Sequence, residues 1–529
     1  MCTHKHQRSL STCPFFLERE KVPFFSRKVF LYIYIYINEY MYIRVCKNKN
    51  WLLYSGRGKS FTLQKIMLDW ASGEIYSENF DAVFLLKCEE FKSISTKKSL
   101  FYLLSLNHKK VLILIDGMDE YVSRPRIHFM QHTNLYTKAP VMVILTNLLR
   151  RVLLPESFML VTTRSAVDTV YLLKDPQRFT EIMGFSERGV QEYFQKFFQD
   201  EKLFRKTYER VKINESLQTA CSVPLLCWMV CFCLKKHFTD DDHVMRELKT
   251  NTSIYVHFVS TLLEHHDQSQ SVLTMLRSLG QLAEEEVKKQ QVFFVGKSVT
   301  MKCFDAVTTL FLYKDGLTIK PAFRFMHHSF QEFFTALYYV LLDEENSWWK
   351  VSELLDWMEW GDLIDRPSPE RRSNPIPSVM LFLCGLLNKK VSSSLFKKIQ
   401  WTVPHTVKLK EKLQESVLRL TTHSGCELYA LHCLYELQDE RFVSEALKKH
   451  NFMDLSNISL TSTDCWVLLY CLQCCPHVRY LNLMYCDLTA EKLKILQPAL
   501  CMSKTMRSVF LYGETLETEF LIDTLFVKR

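Results

Sequence analysis

Val111-Leu112-Ile113-Leu114-Ile115 is apolar at every position and rich in β-branched side chains. A strand with no polar face needs protein packed on both sides, the situation of an inner strand in a parallel sheet covered by helices. The run ends in Asp116-Gly117-Met118-Asp119-Glu120. That puts carboxylates at the carboxyl end of a strand, where open α/β sheets bind their ligands. Residues 82–86, 141–145 and 158–161 also read as strands, and between about residue 51 and 180 they alternate with helical stretches. Such alternation predicts a three-layer α/β module around a parallel sheet.

Upstream, Ser55-Gly56-Arg57-Gly58-Lys59-Ser60 precedes an amphipathic run ending at Trp70 and reads as a phosphate-binding loop that opens a helix. Backbone N–H groups of Gly56, Arg57 and Gly58 would cradle phosphate oxygens, the Lys59 ammonium would reach the β- and γ-phosphates, and the Ser60 hydroxyl would hold Mg2+. The full signature asks for a glycine five residues before Gly58, and Leu53 stands there. A Gly-Lys-Ser tripeptide recurs by chance and alone marks only a solvated helix start; the acidic box following it in order gives it weight. Asp116 would accept Mg2+ through water, and Asp119 or Glu120 could polarise an attacking water. The strand at 158–161 runs into Thr162-Thr163-Arg164, where an arginine can sense a γ-phosphate by a charge-assisted contact. A surface arginine after a strand would look the same.

Together these residues resemble the NACHT module of the NOD-like receptors, a branch of the STAND signalling NTPases. Similar to that family, in family order, are the acidic box, the Leu153-Leu154-Pro155 and Leu160-Val161-Thr162-Thr163-Arg164 stretch, Gly184-Phe185-Ser186-Glu187, Val223-Pro224-Leu225-Leu226-Cys227-Trp228, and Phe325-Met326-His327-His328-Ser329-Phe330-Gln331-Glu332-Phe333-Phe334. They look most like the subfamily that in mammals carries an amino-terminal pyrin domain, and the resemblance covers roughly residues 51–529. It implies a nucleotide-binding α/β domain over 51–185, a first helical domain over 186–249, a winged-helix domain over 250–340, a second helical domain over 341–450 and partial leucine-rich repeats over 451–529. Pro224 falls where the family's proline touches the nucleotide base, although the segment could equally be a packed helix start. His327 falls where the winged-helix histidine reaches the β-phosphate of ADP, with His328 leaving the assignment ambiguous by one position.

Several parts of this outline can be read without the family. Ser186 is a plausible helix N-cap, and Val190, Tyr193, Phe194, Phe197 and Phe198 follow at helical spacing. The rings of Phe330, Phe333, Phe334, Tyr338 and Tyr339 read as core. Val478, Leu481, Leu483, Cys486 and Leu488 match the leucine-rich signature, and Leu455, Leu483 and Leu511 stand 28 residues apart. Glu514 occupies a place where a buried Asn or Cys belongs, so a truncated or poorly capped solenoid is expected.

At 529 residues the chain is too long for one core and predicts about three to five domains. A net charge of +9 without a basic, aromatic-laced stripe does not indicate nucleic-acid binding. The 18 cysteines lack the spacing of a disulfide framework and suit a reducing cytosol. Cys471, Cys474 and Cys475 have no second pair at zinc-finger spacing and read as packing. Residues 1–50 do not behave as a domain. Leu31-Tyr32-Ile33-Tyr34-Ile35-Tyr36-Ile37 is largely what a TA dinucleotide repeat encodes, so a mis-predicted exon is expected there, which would also explain Leu53. Asn38, Glu39 and Arg44 interrupt the only apolar stretch in that region, against a transmembrane segment.

The resemblance implies a cytoplasmic innate-immune sensor of the inflammasome type, switched by ATP and ADP with Mg2+ and at most a slow ATPase. It would self-oligomerise through the NACHT module, take a protein or other ligand on its repeats, and engage an inflammasome adaptor only if an amino-terminal effector domain exists. The alternatives are a nucleotide-independent scaffold with a degenerate loop and a P-loop turnover enzyme; no acceptor-substrate pocket is recognisable for the latter.

Overall fold

The computed structural model describes residues 58–88, 110–118, 134, 136–163, 182, 184–236, 247–265, 270–289, 294–295, 311–315, 322–361, 376–399, 401, 406–422, 426–475, 477–502 and 508–511. Helix α1 (Lys59–Ala71) leads into strands β1 (Ala82–Lys87), β2 (Val111–Asp116) and β3 (Phe158–Val161), which are parallel in the order β1-β2-β3. The all-apolar strand β2 lies at the centre of this sheet. Val111, Ile113 and Ile115 join a core with α2 (Val141–Leu149), while Leu112 and Leu114 join another with Leu63 and Ile66 of α1. Alternating side chains thus enter two separate layers, which is why the strand carries no polar position.

The strand expected at 141–145 is instead the start of α2. Its apolar run continues past Thr146 and Asn147, and Val141, Ile144, Leu145, Leu148 and Leu149 are buried, which is helical spacing. Over five residues a doubly buried strand and a buried helix have the same sequence appearance, and only the longer window separates them.

The helical body begins with α3 (Glu187–Phe198), α4 (Glu201–Ile213), α5 (Glu215–Ala220) and α6 (Pro224–Lys236). Ser186 caps α3 by accepting from Gly189 N, and the aromatic stripe of that helix is buried. Next come α7 (Asn251–Leu262), α8 (Gln270–Lys289), a small antiparallel sheet ordered β4-β6-β5 from β4 (Phe294–Val295), β5 (Leu312–Asp315) and β6 (Ala322–Phe325), and α9 (His328–Leu341). Phe330, Phe333, Phe334 and Leu337 of α9 are fully enclosed. Gly280 of α8 permits this: a Cβ there would lie 2.5 Å from Tyr338 Cβ and 2.8 Å from Phe334 O.

Helices α10 (Glu344–Gly361), α11 (Ile376–Leu386), α12 (Lys389–Lys398), α13 (Thr406–Thr421), α14 (Glu427–Leu437) and α15 (Glu440–Ala446) complete the body. Glu284 of α8, nearly buried, accepts from Lys350 of α10 at 2.7 and 3.0 Å and from the Tyr339 hydroxyl at 3.1 Å. Among the described residues no single helix is long and apolar enough to cross a membrane. The apolar pair Ser378–Leu386 and Lys389–Lys398 is bent by 80° and buries Val379, Leu383 and Leu395 in the helical core.

In the last segment β7 (Phe452–Asp454), β8 (Tyr480–Asn482) and β9 (Ser508–Phe510) are parallel, with α16 (Ser462–Cys474) and α17 (Ala490–Met502) between them. Phe452, Tyr480 and Ser508 stand in register, reproducing the 28-residue interval. This segment shares one core with the helical body and is tied to it by polar contacts. Trp466 Nε1 of α16 donates to Thr219 Oγ1 of α5 at 3.0 Å, and His432 Nε2 of α14 donates to Asp464 Oδ1 of α16 at 2.7 Å inside the protein. One helical turn on, Glu436 accepts from Asn251 N and Thr252 N, at 3.1 and 3.3 Å, and so caps α7.

Burial alone would lift the Asp464 carboxyl, but hydrogen bonds from His432 and Thr461 outweigh it and hold the group below the usual carboxylate range. A carboxyl depressed on folding stabilises the protein above its unfolded pKa, and the contribution is lost as pH falls through the folded value. Asp464→Asn should therefore cost roughly 1.5–3 kcal/mol at neutral pH, and the gap to wild type should narrow as the medium is acidified below about pH 4. Urea unfolding across this range measures it; a pH-independent gap would contradict the reading.

Candidate nucleotide-binding site

Gly58 is the N-cap of α1 and sits at φ +95°, a left-handed conformation that favours glycine. The N-cap glycine has no side chain with which to cap the helix, and the first turn contains no acid. A Cβ at Gly58 would meet none of the described residues within 4 Å. The first-turn N–H groups, with the positive end of the helix dipole behind them, suit an anion. Lys59 and Ser60 are the first two residues of the helix.

Ser60 lies beside the end of β2: its Oγ donates to Asp116 Oδ1 at 3.0 Å. The same oxygen accepts from Thr162 Oγ1, just beyond β3, at 2.6 Å. Gly117, at φ +72°, turns its N–H toward that hydroxyl at 3.0 Å. Packing of α1 against β1 and β2 through Leu63 and Ile66 thus brings Ser60 to the first acid of the box, and parallel pairing of β2 with β3 brings Thr162 to the same carboxylate. Amides at a helix N-terminus suit phosphate, and a serine hydroxyl beside an aspartate offers hard oxygen donors of the kind Mg2+ takes. The residues present fit a magnesium-bound nucleotide phosphate.

Gly56, Arg57, Asp119, Glu120 and Arg164 lie outside the described residues. Pro224 is the first residue of α6, a position that tolerates proline because its missing N–H would be unpaired anyway. It is half-buried, and it is held in place from an unexpected quarter. Gly184, at φ +99°, packs so closely that a Cβ there would lie 2.2 Å from Ser222 O and 3.7 Å from Pro224 Cδ, while Phe185 N donates to Ser222 O at 2.6 Å.

His327 stands just before α9 as its N-cap, in extended backbone at φ −158° and ψ 150°. Its Nδ1 accepts from Ser329 N at 3.2 Å and lies 2.6 Å from Ser329 Oγ, which in turn accepts from the Tyr255 hydroxyl at 2.5 Å. Since a backbone amide can only donate, Nδ1 is the acceptor and the neutral ring carries its proton on Nε2. The sequence placed His327 in a motif but not at a helix start; His-x-Ser at the head of an apolar helix was the available signal. Thr162 was quoted in the sequence without a role. Cys471 and Cys475 are buried and Cys474 is half-buried, and no cluster of metal ligands occurs among the described residues.

Two family models match the chain: the NACHT domain over residues 54–109 and 100–201, and the NLRC4 helical domain HD2 over 327–445. The chain is also 58% identical over 482 residues to NACHT, LRR and PYD domains-containing protein 1 homolog of Danio rerio, a match covering 86% of this chain and 35% of the relative. The chain belongs to the NACHT-domain NOD-like receptors. The human NACHT, LRR and PYD domains-containing protein 3 is 32% identical over 468 residues, covering 81% of this chain and 44% of that protein. Human NACHT, LRR and PYD domains-containing protein 12 is 29% identical over 468 residues, covering 83% and 43%. The chain spans about a third to under half the length of these curated relatives. A NACHT domain is a nucleotide-binding P-loop module, and the HD2 match opens at His327, so this NOD-like receptor's α9 falls inside the matched segment.

Gly184→Ala should lower stability by about 2–4 kcal/mol, because left-handed strain adds to a clash with a carbonyl oxygen. Chemical denaturation measures the loss. A wild-type midpoint would show that the Gly184–Ser222 approach is slack.

Proposed function

We propose that this chain is the nucleotide-switched core of a cytoplasmic innate-immune sensor of the inflammasome type. In this reading bound ADP holds the receptor closed, ATP permits self-oligomerisation, and slow hydrolysis resets the state. The observation that carries it is the Ser60–Asp116 contact: the two groups that must share one Mg2+ lie in hydrogen-bond reach although Leu53 replaces the first glycine of the loop. Lys59 and the amides of Gly56, Arg57 and Gly58 hold phosphate, Ser60 and Asp116 face the metal, Asp119 or Glu120 positions water, and Arg164 senses the γ-phosphate. Mg2+ supplies charge neutralisation on the phosphates when bound. Pro224 meets the base.

The domain scheme belongs to the same proposal. The small β4-β6-β5 sheet with α7, α8 and the aromatic helix α9 is read as the winged-helix domain over 250–340, and the 28-residue β7–β9 arrangement as the opening of a leucine-rich solenoid that receives a protein or other ligand. His327 closes the winged-helix unit on the nucleotide by donating from Nε2 to the β-phosphate. Taking a 1:99 population to 99:1 needs about 5.5 kcal/mol, so this hydrogen bond is one of several contacts that must differ between states.

Chromatography of the supernatant from denatured, purified protein separates the classes. Released ADP supports the switch, no nucleotide supports a scaffold with a degenerate loop, and rapid ATP turnover supports an enzyme. Lys59→Ala should abolish retention, and ADP at a hundredfold excess over Kd should stabilise wild type by about 2.7 kcal/mol. Equal melting temperatures with and without ADP would sink the switch.

His327→Ala should leave nucleotide binding in place but release ADP roughly ten- to a hundredfold faster, the equivalent of a charge-assisted hydrogen bond of about 1.5–3 kcal/mol. His328→Ala should not. Stopped-flow displacement of a fluorescent ADP reads the rate; an unchanged off-rate with a lowered melting temperature would make His327 a helix cap and nothing more.

A further inference from the structure

Thr162 makes four hydrogen bonds with the bend that carries Asp116. Its N donates to Ile115 O at 2.8 Å and its O accepts from Met118 N at 2.9 Å. Its hydroxyl accepts from Gly117 N at 3.0 Å and reaches Asp116 Oδ1 at 2.6 Å. A hydroxyl has one proton, and the amide of Gly117 can only donate, so that proton goes to the carboxylate. The polarity of the contact is therefore fixed, and Asp116 Oδ1 receives both the Thr162 and the Ser60 hydroxyls. Thr162 also stands two residues before Arg164 in sequence, at the end of β3.

We propose that Thr162 is a positioning residue for the metal anchor: its hydroxyl fixes the Asp116 carboxylate in the orientation that Mg2+ recognition requires. The inference rests on the nucleotide reading above and adds to it a route by which the end of β3 is joined to the metal side of the phosphates. A carboxylate free to rotate about χ2 presents its lone pairs to a metal only part of the time. One held by a short hydroxyl contact presents them continuously, and outer-sphere hydrogen bonds of this kind commonly change metal affinity by roughly 10- to 100-fold. Strand pairing needs only the backbone bonds of Thr162, which valine also makes, so the fold survives loss of the hydroxyl although Gly117 N loses its acceptor.

The test is titration of Mg2+ into the full chain with fluorescent ADP, beside melting curves in EDTA. Thr162→Val should keep the EDTA-state ADP affinity near wild type, with a modestly lowered melting temperature because Gly117 N loses its acceptor, while the Mg2+ midpoint rises roughly 10- to 100-fold. Thr162→Ser should restore the midpoint. If valine does not fold, Thr162→Cys, a weaker donor of similar size, should give an intermediate midpoint. A wild-type midpoint in the valine variant, or in the cysteine variant if that is the one tested, overturns the proposal. Wild-type protein that binds ADP without responding to Mg2+ overturns it while leaving the nucleotide reading standing. Wild-type protein that binds no ADP overturns both.

Discussion

Burial of α9 on nearly all sides is the constraint around which the helical body is organised. Ser329 through Leu337 are all buried, polar members included, and a helix without an outer face can exist only if neighbours close on every flank. Gly280 lets α8 approach it, Tyr255 of α7 packs tilted against Phe330 and Phe333, and Phe382 of α11 meets Phe333 edge-on. The same packing decides where His327 points. The imidazole is bonded to Ser329, Ser329 to Tyr255, and Tyr255 is wedged among Phe330, Phe333 and Phe382. Core and candidate latch are one piece of chemistry.

Much of the α/β module could be read from β2, because an apolar strand ended by acid has few places to exist. The N-cap at Ser186, the stripe on α3 and the 28-residue spacing of β7–β9 were legible for the same reason: each is a local pattern whose period matches its element. The helix over 141–149 was not, since its first five residues are apolar in either conformation. Gly184 could be matched to a motif, but its cause is a carbonyl from residue 222, which no window of sequence contains. Thr162 acquired its meaning only when strand pairing carried it to Asp116, and His327 only when the start of α9 was fixed.

The α14 turn that holds His432, Tyr435 and Glu436 gathers several of the polar contacts between elements. Tyr435 donates to Lys249 O at 2.8 Å and meets the ring of Tyr470 edge-on. Through this turn α7 and α16 are held to the same helix, and through Trp466 the latter also touches α5, a few residues before Pro224. Burial raises the Glu436 carboxyl although hydrogen bonds from the α7 start oppose it, so desolvation here is only partly offset.

The Glu436 cap also has a consequence for the order of assembly. Asn251 and the carboxylate that receives its amide are 185 residues apart in the chain, and Thr219 and Trp466 are 247 apart. At a synthesis rate of roughly 5–20 residues per second, about ten to forty seconds separate the emergence of the α7 start from that of its cap. During that interval the first amides of α7 have water in place of Glu436. The polar closure of the α7 start therefore waits for a residue made much later in the chain, and it cannot form until Glu436 has been synthesised.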